Sequence, residues 1–381
     1  MVDDLEKGLE GVLVDESELS YIDGDEGTLL YRGYHIDDLA AEASFEEVLY
    51  LLWHGTLPTR SELETFTESM TREAAIDEDM YGTLEALAAA DEHPMSALRT
   101  GASMLSAYEP ERGADHEDLE ASLRMGRRIT AKLPTILAAY ERIRAGEEPV
   151  DPDPSLDLAA NFLYMLHGEE PSSLAAETFD MALILHADHG MNASTFTALV
   201  IASTMADVYC GVTGGIGALS GPLHGGANQD VMEVLMEIDE SDLDPEDWIR
   251  QAVDEGRRIP GHGHRVYNVK DPRAHILGEK ARQLGGEGEM PWYEYASTIE
   301  SYLAEQGLPE KGIAPNVDFY SGAVYDQLGI PMDAFPAVFA ISRVGGWIGH
   351  ILEYQSDNRL IRPRARYTGP GERSFPTIDE R

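Results

Sequence analysis

Residues 258–273 read RIPGHGHRVYNVKDPR, with three arginines, one lysine and two histidines set among glycine and proline breaks. The chain is otherwise short of positive charge, so a loop chosen only for solubility would here be acidic. Gly261 and Gly263 flank His262, which allows the backbone to approach a ligand closely or to take conformations closed to other residues. Helical spacing lies on either side, in DPEDWIRQAVDEGRR before it and DPRAHILGEKARQLG after it. Two neighbouring stretches share the design: GPLHGGAN at 221–228 and PNVDFYSG at 315–322. All three place an ionisable residue in a turn beside a helix, the usual way a rigid scaffold presents reactive groups. The chain is therefore expected to be helical with functional loops, and not a sheet-based nucleotide fold.

Composition narrows the setting. The 381 residues are 43% hydrophobic, enough for a sizeable core in two domains or one large one. Lys+Arg is 28 against Asp+Glu 70, a net charge of −42, with a sequence pI near 4.4. Such self-repulsion destabilises a compact state in dilute buffer and relaxes when salt screens it. Only five of the cations are lysines, Lys7, Lys132, Lys270, Lys280 and Lys311. A halophilic protein of a salt-rich cytoplasm is the expectation, and the repulsive field disfavours nucleic acid. Cys210 is the only cysteine, which rules out an intrachain disulfide and a thiolate metal cage. The N-terminal MVDDLEKGLEGV is acidic and has no apolar segment of the kind a secretory leader carries. The nearly uncharged run at 190–229 is broken by Asp207 and rich in Ser, Thr, Asn and Gly, so it reads as buried helix and turns and not as a membrane span.

Taken in order, LSYIDGDEGTLLYRGY at 19–34 holds the only β pattern, a small hairpin around a turn-rich centre. From Ser44 onward the spacing is helical, with Ser44, Thr59 and Asp157 as caps. ASLRMGRRITAKLPTILAAYERIRAG is expected to be one long helix bent at Pro134, and DPDPS at 151–155 a linker. The string GVTGGIGALSG lets helices pack closely, here read as a symmetric dimer interface. Its glycines miss the G-x-G-x-x-G spacing and follow a helix, which excludes a dinucleotide-binding turn. Turn density rises after Gly221, which divides the chain into a large domain, 1–220 with 329–381, and a small domain, 221–328. The fold class is all-α with one small N-terminal hairpin.

The candidates for chemistry are His189, His224, His264 and Asp318, together with Arg273, Arg343 and Arg362. Alone, each histidine or aspartate reads as a cap or a satisfied core residue, and Arg362 as a surface charge among Arg359, Arg364 and Arg366. Arg343 sits inside an apolar helix, VFAISRVGGWIG, where it must meet a ligand anion or a buried acid. Several arginines with histidines suit a small substrate bearing more than one carboxylate. A carboxylate with histidines suits proton abstraction beside a carbonyl, where a placed donor must stabilise the enolate oxygen.

With these motifs quoted, the chain resembles citrate synthase over nearly its whole length: SYIDGDEGTLLYRGY, HADHGMNAST, GPLHGGAN, GHGHRVYNVKDPR, PNVDFYSG, SRVGGWIGH and RLIRPRARYTG occur in that family's order. The resemblance implies a two-domain helical fold in a homodimer, with His224, His264 and Asp318 catalytic. It implies oxaloacetate binding by His189, Arg273, Arg343 and Arg362, the last serving the other subunit's site. It implies acetyl-CoA as co-substrate on Arg258, Ile259, Pro260, Gly261 and His262, with Lys311 near its phosphates, and no permanent cofactor or metal. Asn268 departs from the pattern, since many relatives carry a basic residue there, and Lys270 is expected to stand in for it. Three other readings compete: 2-methylcitrate synthase using propionyl-CoA, a metal-dependent hydrolase with His262 and His264 as an H-x-H ligand pair, and a non-catalytic acyl-CoA or carboxylate binder.

Overall fold

In a computed structural model the protein is described at residues 5–9, 11–114, 117–285 and 291–381. A three-stranded antiparallel sheet opens the fold: β1 (Ser20–Asp23), β2 (Thr28–Tyr31) and β3 (Tyr34–His35). The third strand goes beyond the expected hairpin. Arg32 and Gly33 both take positive φ, 49° and 88°, and link the paired Tyr31 and Tyr34 in the two-residue turn that matches strand twist.

Helices α1 (Ile36–Glu42), α2 (Phe45–His54), α3 (Arg60–Glu73), α4 (Glu78–Ala89) and α5 (Pro94–Leu105) follow, then the long α6 (Leu119–Arg144). Next come α7 (Leu158–His167), α8 (Ser173–His186), α9 (Ala193–Ala202) and α10 (Val208–Leu219). The caps are as read. Ser44 and Thr59 each close a reciprocal box with a glutamate three residues on, and Asp157 accepts from Ala160 N at 2.7 Å, satisfying donors a helix start leaves open. Helix α6 runs through Pro134 without ending; the ring lacks the N–H that would bond the Thr130 carbonyl.

Helices α11 (Ala227–Glu240), α12 (Pro245–Asp254), α13 (Pro272–Gly285), α14 (Trp292–Glu305) and α15 (Asp318–Gln327) pack mainly on one another, and α16 (Phe335–Ser356) returns to the first group. Helix α16 is the axis of the core. With its preceding turn it is the one described helix long and apolar enough to cross a membrane, and 94% of that window is buried inside the protein. Glycines receive its bulky side chains. A Cβ on Gly215 would lie 2.9 Å from the Trp347 ring, and one on Gly211 would lie 2.7 Å from Ile351. The close approach expected of GVTGGIGALSG is thus used within the chain, between α10 and α16. Beyond Ser356 the chain leaves the helical body, and Leu360, Tyr367 and Phe375 are exposed.

Candidate active site

The site forms where the end of α8, the start of α9, the turn before α11, the loop at 258–271, the start of α15 and the middle of α16 converge. The loop at 258–271 and the segment at 314–317 are stitched by backbone bonds: Gly263 N to Ala314 O at 2.8 Å, Asn316 N to Gly261 O at 2.9 Å and Asp271 N to Pro315 O at 3.0 Å. Gly261, at φ 72°, lies so close to α15 that a Cβ would sit 2.9 Å from the Phe319 Cα, which is why glycine stands there. This stitching brings His264 and Asp318, 54 residues apart in sequence by 318 − 264, into one site.

Backbone donors fix the tautomers of two of the histidines. His264 Nδ1 accepts from Val266 N at 3.0 Å and Tyr267 N at 3.2 Å, so its proton resides on Nε2. His224 Nε2 accepts from Ser194 N at 3.2 Å, with the Ser194 hydroxyl 2.9 Å away, so its proton resides on Nδ1. Burial holds both neutral, pushed down to about 4, with Arg343 adding to the effect at His224 and Arg273 at His264. His189 stands edge-on to His264 with ring centroids 5.2 Å apart, and its Nε2 lies 3.3 Å from the Tyr267 hydroxyl. Burial, then Arg273, His264 and Arg343, drive it well below the usual imidazole range.

Two buried arginines supply the positive field. Burial works against the charge of Arg273, but Asp271 more than compensates through Nε–Oδ1 at 3.0 Å and Nη2–Oδ2 at 2.6 Å. Arg343 donates from Nε to the His186 carbonyl at 2.6 Å and lies over the Phe339 ring at 4.6 Å. Among the described residues no carboxylate comes within ion-pair distance of it. Burial pushes it down to about 10. A buried guanidinium without a partner acid is a strong binding group for a carboxylate ligand. Asp318, half-buried at the first turn of α15, is pushed up by burial to about 6, against the pull of Arg273.

The structure therefore brings together His189, His224, His264, Arg273, Arg343 and Asp318. Arg362 is not among them: it is exposed beyond α16 and donates to the Pro363 carbonyl. Of the expected CoA-binding residues, Arg258 and Lys311 are exposed, Ile259, Gly261 and His262 are buried, and Pro260 is intermediate. Lys270, expected to stand in for the absent base at 268, is already engaged. Its ammonium is paired with Glu300 at 2.6 Å and lies over the Tyr320 ring. The H-x-H reading lacks the further ligands it needs: among the described residues no group of three or more His, Cys, Asp or Glu is placed to hold a metal ion, and His262 packs edge-on against Phe319 at 4.4 Å.

Four supporting residues were not read from the sequence: Ser194, which fixes His224; Tyr267, which touches His189; Asp271, which pairs Arg273; and Asp188. Asp188 is fully buried, accepting from Ser20 Oγ at 2.5 Å and Gly190 N at 3.1 Å and pairing His350 at 3.1 Å. Asp271 carried a signal, since an aspartate before proline two residues from an arginine caps the helix that bears it.

The citrate synthase C-terminal domain family model matches residues 8–364. The chain is 57% identical over 385 aligned positions, covering all of both chains, to the citrate synthase of Haloferax volcanii. The chain belongs to the citrate synthase family. The citrate synthase of Pyrobaculum aerophilum superimposes at a TM-score of 0.92 and 40% identity, covering 98% of this chain and 95% of that one. The citrate synthase of Thermoplasma acidophilum, solved with carboxymethyl coenzyme A and oxaloacetate, superimposes at 0.90 and 33% identity, covering 99% and 100%. The matching 2-methylcitrate synthases are less similar than the Haloferax enzyme, at 39–40% identity. The activity is that of a citrate synthase, an acyltransferase condensing acetyl-CoA with oxaloacetate to citrate and CoA. CoA is a substrate in this chemistry and not a resident cofactor.

Proposed function

We propose that Asp318, His224 and His264 carry the condensation and that His189, Arg273 and Arg343 hold oxaloacetate. The observation that carries this reading is the opposite tautomers of two neutral histidines, Nδ1–H on His224 and Nε2–H on His264, beside a carboxyl raised toward neutrality. Asp318 takes a proton from the acetyl methyl group while the Nδ1–H of His224 donates to the thioester oxygen, where the enol charge develops. A neutral donor suits this role, since its own pKa lies closer to that of the enol than an imidazolium's would. The enol carbon bonds to the carbonyl carbon of oxaloacetate as the Nε2–H of His264 gives its proton to the carbonyl oxygen. Water then attacks the thioester of the resulting citryl-CoA; the C–S bond breaks and citrate and the CoA thiol leave.

The substrate's carboxylates fall to the unpaired guanidinium of Arg343 and to the nitrogens of Arg273 that Asp271 leaves open, with His189 as a further donor. The oxaloacetate in the Thermoplasma complex supports this assignment by family. The exposed position of Arg362 is consistent with service in a second subunit's site within a homodimer, while Arg258, Ile259, Pro260, Gly261, His262 and Lys311 form the CoA-binding rim. The large domain, 1–220 with 329–381, and the small domain, 221–328, close over oxaloacetate and exclude water. The setting is a salt-rich cytoplasm, inferred from the acid excess.

Asp318→Asn tests the assignment. Turnover is expected to fall about 10²–10⁴-fold, as loss of a general base does, with oxaloacetate still bound by calorimetry. Turnover within tenfold of the parent in a folded variant would remove Asp318 from the mechanism.

A further inference from the structure

The turn between β1 and β2 does not stand free; it lies on the segment that carries His264. Asn268 N donates to the Gly24 carbonyl at 2.8 Å, and Asn268 Nδ2 donates to Asp25 Oδ1 at 2.7 Å. The approach leaves no room for side chains. A Cβ on Gly24 would fall 2.0 Å from the Val266 carbonyl oxygen, and one on Gly27 would fall 2.9 Å from Val269 Cγ2. The turn is shaped by its own residues, because Asp23 Oδ1 accepts from Asp25 N and Glu26 N at 3.0 Å each. The strands are fastened at their other end to the segment that carries His189: Ser20 Oγ donates to Asp188 Oδ2 at 2.5 Å, Gly190 N donates to Ser20 Oγ at 3.1 Å, and the Tyr31 hydroxyl donates to the Asp188 carbonyl at 2.8 Å. One small hairpin thus grips both segments whose imidazoles meet 5.2 Å apart.

We propose that the β1–β2 hairpin is a positioning strap for the oxaloacetate end of the site, with Gly24, Asp25 and Asn268 as the residues that set His264 against His189. The strap rests on the reading of His264 as the partner of the oxaloacetate carbonyl. Val266 and Tyr267, whose amides fix the His264 tautomer, lie between His264 and the gripped Asn268, so a shift of the segment moves the ring and its assigned proton together. A displacement of about 1 Å at a reacting group costs on the order of a hundredfold in rate. The strap also gives Asn268 a role other than the phosphate contact a basic residue would make there.

Asp25 and Asn268 are both exposed, so their side chains can be exchanged without touching the core. The test compares Asp25→Ala, Asn268→Ala and the exchanged pair Asp25→Asn with Asn268→Asp, which restores the hydrogen bond in the reverse direction. Each single variant is expected to lower kcat/KM for oxaloacetate about fivefold, as loss of one hydrogen bond does, with KM for acetyl-CoA and the melting temperature unchanged. The exchanged pair is expected to return to within about twofold of the parent, a recovery that two independent sites would not give, while the unchanged melting temperature separates positioning from a merely structural role. Gly24→Ala, which must push the segment away, is expected to cost more than either single change. Three outcomes overturn the strap: folded single variants with parental kinetics, an exchanged pair as impaired as the sum of its parts, or Asn268→Ala raising only the KM for acetyl-CoA while Asp25→Ala is silent. His264→Gln separates the two claims. If it abolishes turnover while the strap variants behave as the parent, only the strap fails; if it leaves turnover intact, the reading of the site fails with it.

Discussion

In its proposed role as base, Asp318 is enclosed among groups that tune it in both directions. Burial pushes its carboxyl up to about 6, and Arg273 and Arg343 hold it from rising further. The active form is the carboxylate, so rate is lost as pH falls through that value. His224 and His264, held near 4, stay neutral across the same range and add nothing to the limb. The expected kcat/KM profile for acetyl-CoA falls on the acid side by about tenfold per unit below roughly pH 6, and Asp318→Asn loses that limb along with its rate. A limb displaced to near 4 would transfer the essential titration to an imidazole. At this scale the sequence named His224, His264 and Asp318, which the structure brings into one site, because each sits in a Gly/Pro-punctuated turn with few other uses for its charge. It did not name Ser194 or Asp188. Their roles exist only through His224, thirty residues on in sequence by 224 − 194, and through Ser20 and His350.

Periodicity and caps made the helices legible, and Ser44 and Thr59 mark their starts by the reciprocal glutamate. The third strand was missed because two residues after a turn carry no alternation to read; the paired positive φ at Arg32 and Gly33 makes it. Nor could spacing show that GVTGGIGALSG receives Trp347 and Ile351 of its own chain. Another feature visible only in the assembled elements is the carboxyl pair Glu46 and Asp180. Asp180 accepts from Phe45 N at 3.0 Å and Glu46 from Leu158 N at 2.9 Å, so each sits at the start of a neighbouring helix. Burial, and then the charge of the other, raises Asp180; burial is also the leading cause at Glu46. Folded-state values above the unfolded ones mean stability that is full below the ordinary carboxylate range near pH 4 and is lost as pH rises through the raised values. Asp180→Asn keeps the acceptor for Phe45 N and removes the titration. Its melting temperature at pH 8 is expected to exceed the parent's by about 2–4 °C for each kcal/mol recovered, with the gap closing toward pH 4. An equal gap at both pH values would show the pair to be neutral throughout.

Across the whole molecule a net charge of −42 surrounds a site whose field is positive, from Arg273 and Arg343. Screening at molar salt, where the Debye length is about 3 Å, relieves the surface repulsion and leaves the buried groups almost untouched. The fold class and the order of the motifs could be read from the chain. The residues around Arg362 could not by themselves place it, since an exposed arginine looks the same whether it is solvated or serves a second subunit's site, as proposed. The most direct test is the initial rate of CoA release from oxaloacetate with acetyl-CoA, run beside propionyl-CoA, in molar potassium chloride and in dilute buffer. The account predicts a higher kcat/KM for acetyl-CoA, with activity kept in molar salt and lost in dilute buffer. A folded protein that releases no CoA from acetyl-CoA in molar salt, or that prefers propionyl-CoA there, would contradict it.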